Sequence, residues 1–124
     1  MPSFGTLKAD TLTHSTAGSL ATNFVVNGSA KATVAADSAA SIYDSLNISS
    51  GSDEGTGDYD YNVTSAFTAT VAEKCCGGVC IGTTAVLRIK AARATASVID
   101  IAVLNSSFNN ADGNHALAVH GDLA

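Results

Sequence analysis

"DYDYNVT", Asp58 to Thr64, is the stretch on which the fold turns. Tyr59, Tyr61 and Val63 alternate with Asp58, Asp60, Asn62 and Thr64. In an extended chain successive side chains point to opposite faces, so this order makes one apolar face and one polar face. A helix would scatter the same residues around its axis. The stretch predicts a half-buried β-strand.

Its neighbours read the same way. Upstream, "SLNIS" places Leu46 and Ile48 on one face. The link "SGSDEGTG", Ser50 to Gly57, is rich in glycine and acid, which predicts a hairpin with a longer loop. Earlier still, "NFVVNGSAKATV" offers two strands around Asn27-Gly28, since both residues tolerate positive φ. Downstream, "AVLRIKA" sets Leu87 and Ile89 against Arg88 and Lys90. "SVIDIAVLN" sets Ile99, Ile101 and Val103 against Val98, Asp100 and Ala102, so it predicts a central strand buried on both sides. "NSSFNNADGN" is a loop of turn formers, and "HALAVHG" is a last strand with Leu117 and Val119 on one face. A helix over 85–102 competes, because Leu87, Ala91, Ala94 and Val98 share a helical face. Recurrent Val, Ile and Thr and the lack of an N-cap favour strands. The fold class is therefore all-β, a small antiparallel sandwich or barrel-like domain. "LKADTLTHSTAGSL" alternates only weakly, so residues 1–20 read as an N-terminal strap or arm and residues 21–124 as a single β module.

Composition narrows the function classes. The chain of 124 residues is one domain in length, with 11 acidic residues against 6 basic ones. Duplex nucleic acid calls for clustered Lys and Arg, and only Arg88, Lys90 and Arg93 stand together, which reads as a solvated strand face. Nucleic acid is not an expected partner. The hydrophobic share of 46% is mostly Ala and Val, with no Trp. Small side chains bury little area each, so a thin core is expected to be supplemented by identical neighbours. "MPSFGTLKAD" lacks the order of a signal peptide, and no run approaches the ~20 apolar residues of a membrane span, so neither export by that route nor membrane insertion is expected.

"EKCCGGVCIG", Glu73 to Gly82, holds every cysteine. Structural zinc wants four ligands, and His14, His115 and His120 are distant in sequence. The Cys-x-x-Cys redox spacing is missing too. Gly77-Gly78 instead suits a two-residue hairpin turn, with Cys75 facing Cys80 across it at a separation a disulfide accepts and Cys76 on the opposite face as a small apolar residue. Asp53, Glu54, Asp58 and Asp60 do not match a calcium loop and read as a solvated turn. No nucleophile elbow accompanies the Ser, His and Asp residues. The three histidines read as surface or subunit-contact residues. The sequons at Asn27, Asn47, Asn62 and Asn105 read as strand and turn composition. No catalytic residue, cofactor site or metal site is expected.

Several segments carry a resemblance together: "LKADTLTHSTAGSL", "FVVNGSAKA", "SIYDSLNISS", "GTGDYDYNVTSAF" and the tail "AVHGDLA". In this order they resemble a module of marine and environmental bacteriophages, found in tail fibres, head fibres and related virion surface proteins. The resemblance runs from about Leu7 to Ala124. "VNGSAKA" and "GTGDY" are its most specific pieces, and Val71 to Ser97 departs from it. It implies a β-sandwich-like, commonly trimeric virion module without a catalytic role, made in the host cytoplasm and carried on the virion surface. A lone module suits a capsid cement or head-decoration protein on the capsid exterior, clamping major capsid subunits as homotrimers. The alternative is a fibre tip that binds a host surface glycan or receptor through Ser50–Gly57 and Ser106–Asn114. A small hydrolase acting through Asp58 and Asp60 is a third idea, which the solvated reading of that pair disfavours.

Overall fold

A computed structural model describes residues 11–15, 18–70, 75–81, 86–90 and 92–124. Two short strands, β1 (Thr11–His14) and β2 (Gly18–Ala21), pair only with each other. Helix α1 (Thr22–Gly28) follows. Eight strands then build two sheets: β3 (Ala30–Ala36), β4 (Ile42–Leu46), β5 (Ile48–Gly55), β6 (Asp58–Val63), β7 (Cys75–Ile81), β8 (Val86–Lys90), β9 (Val98–Leu104) and β10 (Asn114–His120). The first sheet has the order β4-β3-β10-β7 and the second β5-β6-β9-β8, each antiparallel throughout. The described residues form an all-β sandwich with one short helix.

The core lies between the sheets. The first sheet supplies mostly smaller side chains, Ala32, Val34, Ala36, Leu117 and Val119. The second supplies larger ones, Tyr59, Tyr61, Ile99, Ile101 and Val103. The alternation that marked "DYDYNVT" is present as read, with Tyr59, Tyr61 and Val63 buried. Strand β9 is flanked by β6 and β8, and nearly every residue of it is buried on both faces, as its doubly apolar pattern predicts. The helix over 85–102 does not form: β8 and β9 pair there, from Val86 opposite Leu104 to Lys90 opposite Asp100.

Three local readings are corrected. Asn27-Gly28 ends helix α1 and is not a hairpin turn; the Ser29 N–H and hydroxyl both donate to the Val25 carbonyl and close the last turn. Gly28 is not at positive φ here; it stays helical, and Ser29 leaves the helix in an extended conformation. The chain does not run straight from Leu46 to Ile48 within one sheet. Asn47, at φ 58°, turns it from β4 in the first sheet to β5 in the second. The Asn47 side chain fixes this crossing, accepting from the Ser65 N–H at 2.7 Å and donating to the Ser65 carbonyl at 3.0 Å. The expected hairpin with β6 exists, but most of its "loop" is strand β5, and the turn is the tight Gly55–Asp58.

The third correction concerns the cysteines. Strand β7 runs unbroken through Gly77-Gly78, paired from Cys75 opposite His120 to Ile81 opposite Asn114. Cys75 and Cys80 therefore lie five positions apart along one strand, roughly 16 Å at ~3.3 Å per residue, far outside disulfide range. The expected turn and the Cys75/Cys80 pair across it are not formed. Gly78 serves close approach: a Cβ there would sit 2.7 Å from the Ala116 carbonyl oxygen and 2.9 Å from the Leu117 Cβ, whereas Gly77 faces open space. Cys76 and Cys80 share a parity and both pack against the core, so Cys76 does not face away from Cys80. The Cys75 side chain and residues 1–10 of the strap lie outside the described residues.

Gly57 is the tightest point of the β5–β6 turn. Its φ is +64°, and an added Cβ would meet the Ala111 nitrogen and the Val103 carbonyl oxygen at 2.5 Å each. Both neighbours are backbone and cannot swing aside. The Gly57→Ala variant should lose about 2 kcal/mol of stability, from the strained φ plus the clash. Urea denaturation reads this directly as a lower midpoint.

Candidate functional site

Among the described residues, titratable side chains cluster in three places. The first is the outer face of the second sheet. Asp58 and Asp60 on β6 and Asp100 on β9 point there, joined by Lys90 at the end of β8 and Arg93 in the β8–β9 connection. The Arg93 guanidinium lies 2.7 Å from Asp58, 2.8 Å from Asp60 and 3.3 Å from Asp100. Lys90 Nζ lies 2.8 Å from Asp58 and 3.6 Å from Asp100. Asp100 is completely buried and also accepts the Arg93 backbone N–H at 2.8 Å. The solvated reading of Asp58, Asp60, Lys90 and Arg93 is thus corrected, while Arg88 is exposed as expected.

The electrostatics of this cluster point to a clamp. Arg93 beside Asp58 holds that carboxyl below the usual carboxylate range, with Lys90 adding to the effect. Its hydrogen bonds to Asp60 and then Asp58 push the Arg93 guanidinium up in turn. A glycosidase acid needs the reverse, a carboxyl whose pKa is raised so that it stays protonated. The cluster pins the 92–97 connection onto the sheet. Among the described residues, no group of three or more His, Cys, Asp or Glu is arranged to hold a metal ion.

The second place is the core. His115 on β10 is fully buried, which corrects its surface assignment. Its parity matches Leu117 and Val119, so the strand carries it inward. The ring Nδ1 lies 2.8 Å from the Gly113 carbonyl, which can only accept, so Nδ1 carries the proton. Nε2 then accepts the Tyr61 hydroxyl at 2.6 Å. The Tyr59 ring lies against the imidazole, with centroids 4.5 Å apart. Burial lowers the His115 pKa and raises those of both tyrosines. Every described buried side-chain polar atom has a hydrogen-bond partner, so this network is satisfied and joins the two sheets through their core. Cys80 sits in register beside His115, and burial pushes its thiol up. His120 donates from Nδ1 to the Gly28 carbonyl at 2.9 Å and ties α1 to β10; the His14 side chain lies outside the described residues.

The third place is one end of the sandwich, where three connections meet: β3–β4, β5–β6 and β9–β10. The Gly57 N–H donates to Asp112 at 2.7 Å, and the Val103 N–H donates to the Gly57 carbonyl at 2.8 Å. The Ser38 N–H donates to Asn114 at 3.2 Å, and the Tyr59 hydroxyl donates to the Ser38 carbonyl at 3.1 Å. The β5–β6 turn at Gly57 and the β9–β10 loop, far apart in sequence, thereby meet in one surface. Asp37 is held below its ordinary value by the Ala39 and Ser41 N–H groups. Within the β9–β10 loop, Asn105 accepts the Ser107 and Asn109 N–H groups on its side chain and the Phe108 N–H on its carbonyl. Phe108 itself has φ 61° and is 73% exposed. For a bulky side chain that conformation costs of order 1–2 kcal/mol.

Sequence reasoning missed Asp100, Arg93 and His115 as linked groups. The signals were an aspartate inside an apolar strand and a histidine in phase with the core positions of "HALAVHG". No family model matches the chain, and no curated protein or solved structure matches it.

Proposed function

We propose that the chain is a non-enzymatic structural module of a bacteriophage virion, a capsid cement or head-decoration protein that clamps neighbouring major capsid subunits as homotrimers on the capsid exterior. The observation that carries the reading is the division of the chain into a cross-linked sandwich and an N-terminal hairpin-and-helix arm that shares neither main sheet. In the sandwich, charged and polar residues serve to tie connection to sheet and sheet to sheet. The arm carries Val25 and Val26 exposed on its short helix, where a neighbouring subunit would cover them. The segments "VNGSAKA" and "GTGDY", with the rest of the resemblance, support the phage assignment.

A second reading, a fibre tip binding a host surface receptor, is favoured by the single surface that the two candidate loops form around Gly57 and Asp112. Native mass spectrometry and labelling of intact particles separate the readings. Cement predicts a stable trimer, label over the whole head, and particles that lose stability but keep adsorption when the gene is deleted. Label confined to the tail with loss of adsorption selects the fibre tip. A stable monomer that labels no particle overturns both.

A further inference from the structure

We propose that the loop end of the sandwich is a docking surface for a protein partner that offers an apolar pocket with a basic rim, and that Phe108 is the side chain entering the pocket. This rests on the virion reading, under which the partner is another virion protein.

The argument starts from what Phe108 does not do for the fold. At 73% exposure it buries little against its own chain. Its φ of 61° is a conformation that glycine or asparagine adopts with less strain. The hydrogen bonds that shape the loop come from Asn105 and from backbone, and none uses the phenyl ring. A glycine would meet the loop's conformational need better, so the aromatic ring is accounted for by what lies outside the chain. Rigid aromatic anchors of low conformational entropy are the side chains that dominate protein interfaces. The loop is held in place before any partner arrives, which limits the ordering cost of docking.

Charge sets the partner's rim. The three connections at this end contain Asp37 and Asp112, the adjoining end of β5 carries Asp53 and Glu54, and none of these segments has a Lys or Arg. The described basic groups lie elsewhere: Lys90 and Arg93 within the aspartate clamp, Arg88 opposite Ala102 on the sheet face, and Lys31 near the start of β3. Complementary charge around an aromatic anchor speeds encounter and fixes register. An apolar ring without a polar handle suits a hydrophobic pocket on a protein better than a hydroxyl-rich sugar.

The test uses particles made without this chain, to which the purified full-length protein is added back and its occupancy measured by co-sedimentation. The native protein should bind. Phe108→Gly should bind at least tenfold more weakly while its melting temperature stays equal or rises, because glycine relieves the positive φ. Glu54→Lys should also weaken binding, and added salt should weaken binding of the native protein. Phe108→Gly binding as well as the native protein overturns the inference and leaves the virion reading standing. Failure of the native protein to bind any particle overturns both. Binding of native protein to purified host polysaccharide that Phe108→Gly abolishes overturns the protein pocket in favour of a glycan.

Discussion

Replacing Arg93 by alanine is expected to cost about 2–3 kcal/mol of stability. Breaking a fully buried ion pair costs about 3–5 kcal/mol, because the partner left behind is an uncompensated charge. Arg93 is 37% exposed on its side chain, so solvent screens it and the lower figure applies. What it leaves is severe nonetheless: three aspartates on one patch of sheet, one of them fully buried, facing Lys90 alone. Arg93→Lys should recover only part of the loss, since one ammonium cannot reach three carboxylates as the guanidinium fork does. The pH dependence identifies the cause. The folded-state pKa of Asp58 is depressed below its ordinary 3.8, so its contribution is present above that value and is lost as pH falls through the folded value. The gap between native protein and Arg93→Ala should therefore be full at neutral pH and narrow below about pH 3.8. A gap of constant size down to pH 2 in urea denaturation would mean that Arg93 acts through packing and not through charge.

How far these features could be read from sequence depends on how far the interaction reaches along the chain. Alternation is local, so β6, β9 and β10 were legible from "DYDYNVT", "SVIDIAVLN" and "HALAVHG" alone. Glycine pairs are ambiguous because one residue type serves several geometries. Gly77-Gly78 lies within a strand, where the Leu117 and Leu87 side chains crowd in at Gly78, and only the tertiary packing reveals that. The clamp joins residues from three strands and a connection, and nothing in the spacing of Asp58, Arg93 and Asp100 announces it. The loop end is similar: Gly57 and Asp112 meet only because β9 lies beside β6 and its connection returns over the turn. A partial signal did exist. An aspartate amid Ile and Val on a strand buried on both faces requires a cation nearby, and the one basic cluster in the chain stood a few residues upstream.

His115 carries the other large effect. His115→Ala should cost about 3–5 kcal/mol, combining the cavity left between two sheets with an orphaned Tyr61 hydroxyl and Gly113 carbonyl. The more informative result is a pH slope. Burial depresses the folded-state pKa of His115 below its ordinary 6.5, against a weaker upward pull from the Gly113 carbonyl and the Asp37 charge. The groups facing the ring are Tyr59 and Tyr61 across the core, Cys80 in register on β7 and Asp37 from the β3–β4 connection. The folded protein keeps the imidazole neutral, while the unfolded chain takes up a proton near pH 6.5. Stability is therefore complete above pH 6.5, falls as pH drops below it, and stops falling from this source once pH passes under the folded value. His115→Gln has no charge to gain and can still accept from Tyr61, so it should be less stable than native protein at pH 7.5 yet lose less on acidification to pH 5. Equal slopes for the two proteins between pH 6.5 and pH 5 would show that the His115 proton is not what couples folding to acid. A reduced slope in His115→Gln instead places the acid sensitivity at the Tyr61–His115 bridge across the core, where protonation puts an uncompensated charge between the sheets.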